Sequence, residues 1–264
     1  MMGAVPALEL RGVTRNVGGL RLLDGVSLSI PTGQCWALIG PNGAGKTSLF
    51  HVISGLTAPC AGQVVLHGRD VTGWAAHRLR QRGLARSFQI NQLFGGLSVL
   101  DHLCCAALSG DRMGYAFWRP LSSARDVMRD ACALAEALGL EHHLHSTARE
   151  LTYAQQRHLE LGLALAGSST VLLLDEPTSG MSRQEAGDWA KRLRQLARGR
   201  TVLLVEHDLS VAFAVADRVA VLHQGRLITD APASEITRDP RVQAAYGADS
   251  MSRGSDMPWE PGRG

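Results

Sequence analysis

Runs of apolar residues along the chain predict strands of two kinds. The segment "VSLSI" (residues 26–30) alternates apolar and polar positions, and it predicts a half-buried strand near the N-terminus, as does "QVVLHG" (63–68). Three further runs, "CWALIG" (35–40), "STVLLLDE" (169–176) and "TVLLVEH" (201–207), are apolar almost throughout. Strands of that kind are buried on both faces, which is typical of a parallel sheet covered by helices.

Helical periodicity fills the segments between these strands. Apolar positions recur at helical spacing in "GDWAKRLRQLA" (187–197) and in "LSVAFAVADRVA" (209–220). The alternation of strands and helices predicts an α/β, doubly wound, parallel-sheet core. The middle of the chain differs, because "VLDHLCCAALSG" (99–110) and "RDVMRDACALAEALGL" (125–140) are both helical with no strand between them. We therefore predict a helical subdomain, about residues 92–150, inserted into the core.

We expect neither a secretory signal nor a membrane-spanning segment. The start, "MMGAVPALELRG", lacks the basic stretch and apolar run of a secretory signal. No apolar run approaches the roughly 20 residues that cross a bilayer. Residues 248–264 are rich in Gly, Pro and Ser, and we predict a disordered tail there. A role at the membrane therefore has to come through a partner.

Composition narrows the classes of function. A chain of 264 residues can bury one substantial core, or one core with a small satellite. The net charge is only +3, basic residues are scattered and aromatic residues make up 5%, so we expect no nucleic-acid partner. The five cysteines form no CxxC pair, which is typical of reduced thiols in a cytosolic protein.

The segment "GPNGAGKT" (40–47) carries the strongest chemical signal. It matches G-x-x-x-x-G-K-[ST] and lies between a buried strand and a predicted helix, a position that disfavours a chance glycine-rich turn. Glycines let the backbone N–H groups face a phosphate chain, Lys46 would reach the β- and γ-phosphates, and Thr47 would offer a hydroxyl to Mg²⁺. The residues predicted to bind nucleotide here are Gly40, Pro41, Asn42, Gly43, Ala44, Gly45, Lys46, Thr47 and Ser48.

Two further strand ends offer the remaining groups of a phosphoryl-transfer site. Asp175 and Glu176 close the run "VLLLDE", so Asp175 is predicted in the Mg²⁺ shell and Glu176 beside the attacking water. His207 ends the run "TVLLVEH", where it could donate to a γ-phosphate. Adjacent acids that merely end a strand, or a capping histidine, are common on their own. Because the same chain carries the segment 40–47, called the phosphate loop from here on, we favour the catalytic interpretation.

Taken together, these motifs resemble the ATP-binding cassette (ABC) ATPases over residues 6–247. The segments "GPNGAGKT", "ARSFQ", "LTYAQ", "LLLDEPT" and "VEHD" occur in the family's order and spacing. The resemblance implies a P-loop NTPase (RecA-like) core with an N-terminal antiparallel β subdomain and an inserted helical subdomain. It also implies ATP and Mg²⁺ as cofactors, and Gln89 as the residue that couples the γ-phosphate and Mg²⁺ to a membrane partner. The implied metal ligands are Thr47, Gln89 and Asp175.

In this family "LTYAQ" would be the signature segment, which closes on ATP held by a second ATPase subunit. Thr152, Tyr153, Ala154 and Gln155 would then contact that nucleotide. We expect the helix to begin near Gln155, with a positive dipole end and free N–H groups before it. Its apolar face, read as Leu159, Leu163 and Ala166, would also pack on the core, so the two interpretations are compatible.

Five residues depart from the family's usual pattern: Ala154 for glycine, His158 and Leu163 for arginines, Ser182 for an Asp or Asn, and Val17 for an aromatic residue that stacks on adenine. Loss of stacking would remove about 1–2 kcal/mol. The residues implied to do chemistry are intact, so we expect an active ATPase with weakened nucleotide affinity. Ala154 is tolerable if its φ is negative, and strained if the site needs a positive φ.

Within the family, the chain is similar to the ATPases of branched-chain amino acid importers. The segments "GLARSFQINQLFGGLSVLDHL", "PTSGM" and "DPRVQAAYG" carry this likeness. It implies a second ATPase subunit of the same or another kind, two membrane permeases, a solute-binding protein delivering to them, and a place at the cytoplasmic face of the membrane. Urea and short-amide importers are the closest alternative, and a soluble cassette ATPase outside transport is a second one.

Overall fold

The computed structural model describes residues 5–86, 93–110, 121–166 and 169–246. The predictions for Gln89 and for the tail at 248–264 lie outside the described residues.

Two sheets and a set of helices make up the described chain. The strands are Leu8–Val17 (β1), Leu20–Ile30 (β2), Cys35–Ile39 (β3), Ala61–Leu66 (β4), Arg69–Asp70 (β5), Leu84–Arg86 (β6), Val171–Asp175 (β7), Thr201–Val205 (β8), Arg218–His223 (β9) and Arg226–Pro232 (β10). The helices are Lys46–Ile53 (α1), Ala76–Arg80 (α2), Val99–Gly110 (α3), Leu121–Ala137 (α4), Tyr153–Leu165 (α5), Arg183–Leu196 (α6), Leu209–Val215 (α7), Ala233–Ile236 (α8) and Pro240–Tyr246 (α9), with short 3-10 turns at Glu141–His143 and Ala148–Glu150.

The larger sheet has the strand order β10-β9-β3-β8-β7-β6. Its strands run parallel except for β10, which pairs antiparallel with β9. Strands β7 and β8 are buried at every position, as their unbroken apolar runs predict. The α/β parallel-sheet prediction is confirmed. In the register, Leu38 of β3 and Asp175 of β7 both lie opposite Val205 of β8, so the three strands end at one edge.

The smaller sheet, β2-β1-β4-β5, is antiparallel throughout. In β2 the alternation is visible as burial, because Val26, Leu28 and Ile30 are buried while Ser27 and Ser29 are exposed. This sheet is the antiparallel β part of the predicted fold. Its strand β2 contacts the turn between β9 and β10, where Asp24 donates its N–H to the carbonyl of Gly225, and Gly225 in turn donates its N–H to the carbonyl of Ala44 in the segment 40–47.

Helices α3 and α4 occupy the middle of the chain, where the periodicity predicts them. The two helices pack against each other and against α5, and Leu103 and Leu138 belong to one buried cluster with Leu172 of β7 and Trp189 of α6. The helical part therefore shares its core with one face of the large sheet. None of the helices in the described ranges combines the length and apolar character that crossing a bilayer requires.

The helix expected over 209–220 is too long, and the prediction is wrong for its last residues. Helix α7 ends at Val215, and Arg218 already begins strand β9. The break is fixed by Asp217, whose N–H donates to the carbonyl of Cys35 while its carboxylate accepts from the N–H of Cys35. These bonds start the parallel pairing of β9 with β3, so an apolar run that continues a helix in sequence becomes a strand.

Helix α5 begins two residues earlier than expected, and its buried face differs from the predicted one. Thr152 caps it: its hydroxyl accepts from the N–H of Gln155, and the Gln155 side chain accepts from the N–H of Thr152. The buried apolar positions are Leu159, Leu161, Gly162 and Leu165, whereas Leu163 and Ala166 are half-buried. The helix is covered on more than one side, because α3, α4 and α6 all pack on it.

His158 of α5 faces α6 and has no hydrogen-bond partner for its buried Nε2 within the described residues. Burial, with a smaller effect from Arg192, lowers the pKa of His158 to about 4, although Asp188 and Glu185 oppose the shift. Because the unfolded chain binds a proton near pH 6.5 and the folded chain does not, the free energy of unfolding should fall as pH drops from about 6.5 to 4.

We predict that His158→Leu flattens this acid dependence. The variant should keep about 1 kcal/mol more of its neutral-pH stability at about pH 5, as measured by denaturant unfolding at both pH values. His142→Leu is the matched control, since the His142 side chain is 89% exposed. An unchanged slope in the His158 variant would show that this histidine titrates normally.

Candidate functional site

The phosphate loop joins the end of β3 to the start of α1, and glycine is required there for steric reasons. Gly45 precedes α1 with a φ of 104°, and Gly43 has a φ of 79°, both in the left-handed region. A Cβ on Gly45 would lie 2.6 Å from the carbonyl oxygen of Leu22, and one on Gly40 would lie 2.1 Å from that of Leu222. The loop is therefore pressed between β2 and β9.

Lys46 opens helix α1 and folds back over the loop. Its side chain is buried, and Nζ donates to the carbonyl oxygens of Gly40 at 2.6 Å and Pro41 at 3.1 Å. Burial lowers the pKa of the Lys46 ammonium, and the Glu176 carboxylate opposes that shift. The two carbonyl oxygens are neutral and therefore weaker acceptors than an anion. A phosphate oxygen can replace them as the partner of the Lys46 ammonium.

Asp175 ends β7 and is only 2% exposed. Its Oδ2 accepts from Nη2 of Arg86 at 3.0 Å, and Arg86 comes from the end of the neighbouring strand β6. The same guanidinium donates to Oγ of Ser54 at 2.7 Å. Burial raises the pKa of the Asp175 carboxyl, and Arg86 opposes that rise. Sequence reasoning missed this pairing, although Arg86 stands directly before the segment that carries Gln89.

Glu176 and His207 meet at the same edge of the sheet. Oε1 of Glu176 lies 2.7 Å from Nε2 of His207, and the histidine side chain is about half exposed. Glu176 has a φ of 46°, which costs about 1 kcal/mol or more for a residue with a side chain. Its N–H donates to the carbonyl of Val205, so β8 holds both residues of the pair. A strained backbone at this position indicates a functional constraint.

Glu206 is a second residue that sequence reasoning missed. It is buried at the end of β8, and its Oε1 accepts from both the N–H and the hydroxyl of Thr178, at 3.1 and 2.7 Å. Burial raises the pKa of Glu206, and the bonds from Thr178 oppose the rise. The pair ties the turn after Glu176 to β8. An acid inside the apolar run "VLLVEH" was the signal that could have identified it.

The segment "LTYAQ" forms the capped start of α5. Helix geometry leaves the N–H groups of Tyr153 and Ala154 without an acceptor inside the helix. Ala154 is not among the non-glycine residues with positive φ in the described chain, so the strained alternative for Ala154 is wrong. The side chains point elsewhere: Gln155 Nε2 contacts Nε2 of His143 at 2.8 Å, and the Tyr153 hydroxyl donates to the carbonyl of Ser179.

Two of the departures from the family pattern have clear structural settings. Ser182 caps α6, because its hydroxyl accepts from the N–H of Glu185 and the Glu185 carboxylate accepts from the N–H of Ser182. Val17 ends β1 and is 50% exposed, which leaves a small apolar side chain at the tip of the β1–β2 hairpin. At the other end of the chain, burial raises the pKa of the Tyr246 hydroxyl in α9. A hydrogen bond from the backbone of Gly40 to this hydroxyl opposes the rise.

The structure brings most of the predicted residues to one place. The phosphate loop, Asp175, Glu176 and His207 lie at the ends of β3, β7 and β8, where parallel sheets bind ligands. The segment 151–155 joins this edge through Tyr153 and the turn after Glu176. A phosphate loop, two strand-end carboxylates and a parallel sheet define a P-loop nucleoside triphosphatase.

Comparison with known proteins gives the family within the P-loop nucleoside triphosphatases. The protein-family model described as "ABC transporter" matches residues 23–179. The chain is 32% identical over 248 residues to the high-affinity branched-chain amino acid transport ATP-binding protein BraF of Pseudomonas aeruginosa, with 91% of this chain and 97% of BraF covered. It is 30% identical over 251 residues to LivG of Escherichia coli K12, a protein of the same description, with the same coverage.

Solved structures give the same result. The ADP conformation of MJ1267, an ATP-binding cassette of an ABC transporter, superposes with a TM-score of 0.78 at 28% identity, covering 91% of this chain and 98% of that one. The chain belongs to the ABC transporter family. It is an ATP-binding ATPase of that family, and its fold is the one that the sequence motifs imply.

We predict that Ala154→Gly changes the ATPase rate of the assembled transporter by less than about threefold. Glycine offers the same backbone N–H, and negative φ at residue 154 means that no strain is released. Ala164→Gly, in the same helix, is the control for the loss of helix propensity, which costs about 1 kcal/mol. Steady-state hydrolysis of both variants checks the prediction. A rise of about tenfold or more in the first alone would show a degenerate signature.

Proposed function

We propose that the chain is the ATP-hydrolysing subunit of an importer for branched-chain amino acids. It would act at the cytoplasmic face of the membrane with a second ATPase subunit, two membrane permeases and a solute-binding protein that delivers to them. The likeness to BraF and LivG supports this proposal, because it extends over 97% of the length of those proteins. The transported solute would touch the partners and not this chain.

The phosphate loop would hold the ATP phosphates. Backbone N–H groups of the loop would bind phosphate oxygens, and Lys46 Nζ, now bonded to Gly40 and Pro41, would exchange those carbonyls for β- and γ-phosphate oxygens. A charged acceptor makes a stronger bond than a carbonyl, which favours the exchange. Val17 offers little area for stacking on the base, so most of the affinity would come from the phosphates.

The residues here fit Mg²⁺. Thr47 offers a hydroxyl and Asp175 a carboxylate, the hard oxygen ligands that this ion prefers, and Gln89 would add an amide oxygen. Among the described residues, no cluster of three His, Cys, Asp or Glu could hold a metal by itself, so the ion would need the phosphates as further ligands. When bound, Mg²⁺ would neutralise charge on the β- and γ-phosphates. Arg86 would keep the Asp175 carboxylate in place.

The contact between Glu176 and His207 carries the catalytic proposal. Glu176 would orient the attacking water and accept its proton, and His207 would donate to the γ-phosphate. The 2.7 Å distance places the two groups around one small volume, with the Lys46 cation near enough to act on Glu176 electrostatically. Positioning and charge neutralisation supply most of the catalysis in phosphoryl transfer.

The start of α5 would act on a second nucleotide. In a head-to-tail pair of ATPase subunits, the N–H groups of Tyr153 and Ala154 and the positive end of the helix dipole would face the γ-phosphate in the partner's phosphate loop. Thr152 and Gln155 would keep these N–H groups in place, since each side chain caps the backbone of the other.

The exposed apolar side chains after residue 92 support a docking role. Phe94 is 71% exposed, and Leu97 and Leu108 are also exposed. They follow the segment that carries Gln89, so a permease helix bound there would lie beside the γ-phosphate sensor. Exposed large apolar side chains are typical of surfaces that bind another protein.

We predict that Glu176→Gln leaves ATP binding intact and reduces turnover by at least about 100-fold, since the amide cannot accept the proton of water. Lys46→Ala should instead weaken binding itself, because the loop loses its cation. Titration with a fluorescent ATP analogue and steady-state hydrolysis separate the two effects. Glu235→Gln, on the exposed side of α8, is the control for the same chemical change. Equal hydrolysis by wild type and Glu176→Gln would refute the role of Glu176.

We also predict that Phe94→Asp abolishes co-purification with the membrane subunits while ATP binding persists, because a carboxylate cannot be buried in an apolar interface without a partner. Val5→Asp, at a residue 59% exposed beside the small sheet, should co-purify like the wild type. Pull-down of the assembled complex from solubilised membranes measures both. If Phe94→Asp retains its permeases, docking uses another surface.

A further inference from the structure

The side chain of Tyr153 turns away from the helix start and bonds to its own subunit. Its hydroxyl donates to the carbonyl of Ser179 at 2.7 Å. The same oxygen accepts from Nε and Nη2 of Arg157, at 3.0 and 2.6 Å. A phenol has one donor and two acceptor positions, so these three bonds use its full capacity.

Arg157 holds the Tyr153 ring in position. The arginine is buried, and its Nη1 lies 2.8 Å from Oε2 of Glu160. Its guanidinium carbon lies 5.0 Å from the centroid of the Tyr153 ring, close enough for a cation–π contact. Arg157 and Glu160 both belong to α5, so contacts within its own helix orient the tyrosine.

The target of the hydroxyl is the turn that carries Glu176. Ser179 donates its N–H to the carbonyl of Glu176 at 3.1 Å, so two hydrogen bonds in series connect Tyr153 with Glu176. Gly180 adopts a φ of 83°, and a Cβ there would lie 3.2 Å from Cε1 of Tyr153. The ring therefore packs directly on the turn, at a position where only glycine fits comfortably.

We propose that Tyr153 is a positioning residue that couples the signature segment to the turn of Glu176. The inference rests on the proposed function above. The backbone of the segment would face the nucleotide of the partner subunit, while the hydroxyl holds the turn beside the nucleotide of its own subunit. Closure on one nucleotide then fixes the left-handed Glu176 at the other, and the two sites hydrolyse ATP cooperatively.

This role differs from nucleotide contact in what a variant should change. Tyr153→Phe keeps the ring on Gly180 and beside Arg157, but it removes the bond to Ser179 and the two bonds accepted from Arg157. Loss of the bond to Ser179 should leave the dissociation constant for ATP within about twofold, lower kcat about tenfold, and bring the Hill coefficient for ATP close to one. The measurements are analogue titration and steady-state hydrolysis by the assembled transporter.

Thr72→Val is the matched control for lost hydrogen bonds. The Thr72 hydroxyl accepts from the N–H of Val64 and donates to Asp70, in the small sheet away from the site. This variant should lower thermal stability to a similar extent, yet keep the wild-type kcat and Hill coefficient. A fall in kcat for both variants would reduce the Tyr153 bond to a general structural role and overturn the proposal.

The other outcomes are equally distinct. Tyr153→Phe with wild-type kcat and Hill coefficient would overturn the proposal, as would a loss of ATP affinity equal to the loss of kcat, which would indicate a nucleotide contact. The control for the proposed function is separate. If the wild type hydrolyses ATP and Glu176→Gln does not, a failure of the Tyr153 test concerns coupling alone.

Discussion

The parallel register of β3, β8 and β7 is the constraint on which the site depends. Leu38 and Asp175 both lie opposite Val205, so the phosphate loop, the two carboxylates and His207 leave the sheet at one level. The register in turn depends on strands that are buried on both faces. A slip of one residue in β7 would turn every side chain of the strand to the other face of the sheet. Asp175 and Glu176 would then move away from the phosphate loop.

Three buried charged groups at this edge, Asp175, Glu206 and Lys46, have hydrogen-bond partners, so the polar site can lie against an apolar sheet. Asp175 is paired with Arg86, Glu206 accepts bonds from Thr178, and Lys46 rests on two loop carbonyls. An unpaired charge in such a position would cost several kcal/mol. Each pair also joins two elements, so the polar contacts that make burial tolerable fix the geometry of the site.

Local pattern was enough to predict β3, β7, β8, α3 and the phosphate loop, since each has a periodicity or motif of its own. It was not enough for β9, because the apolar residues of α7 run on into "RVAVLH", and only the bonds of Asp217 with Cys35 end the helix. Arg86 with Asp175, Glu206 with Thr178 and Tyr153 with Ser179 are far apart in sequence. No local signal specifies such partners, because the fold creates them.

The most direct measurement is a crystal structure of the full chain with Mg²⁺ and a non-hydrolysable ATP analogue. The account predicts that Lys46 Nζ leaves the carbonyls of Gly40 and Pro41 for the β- and γ-phosphates, with Glu176 and His207 beside the γ-phosphate. Thr47 and Asp175 should then face the metal. A triphosphate bound elsewhere, with Lys46 still bonded to the loop carbonyls, would contradict it.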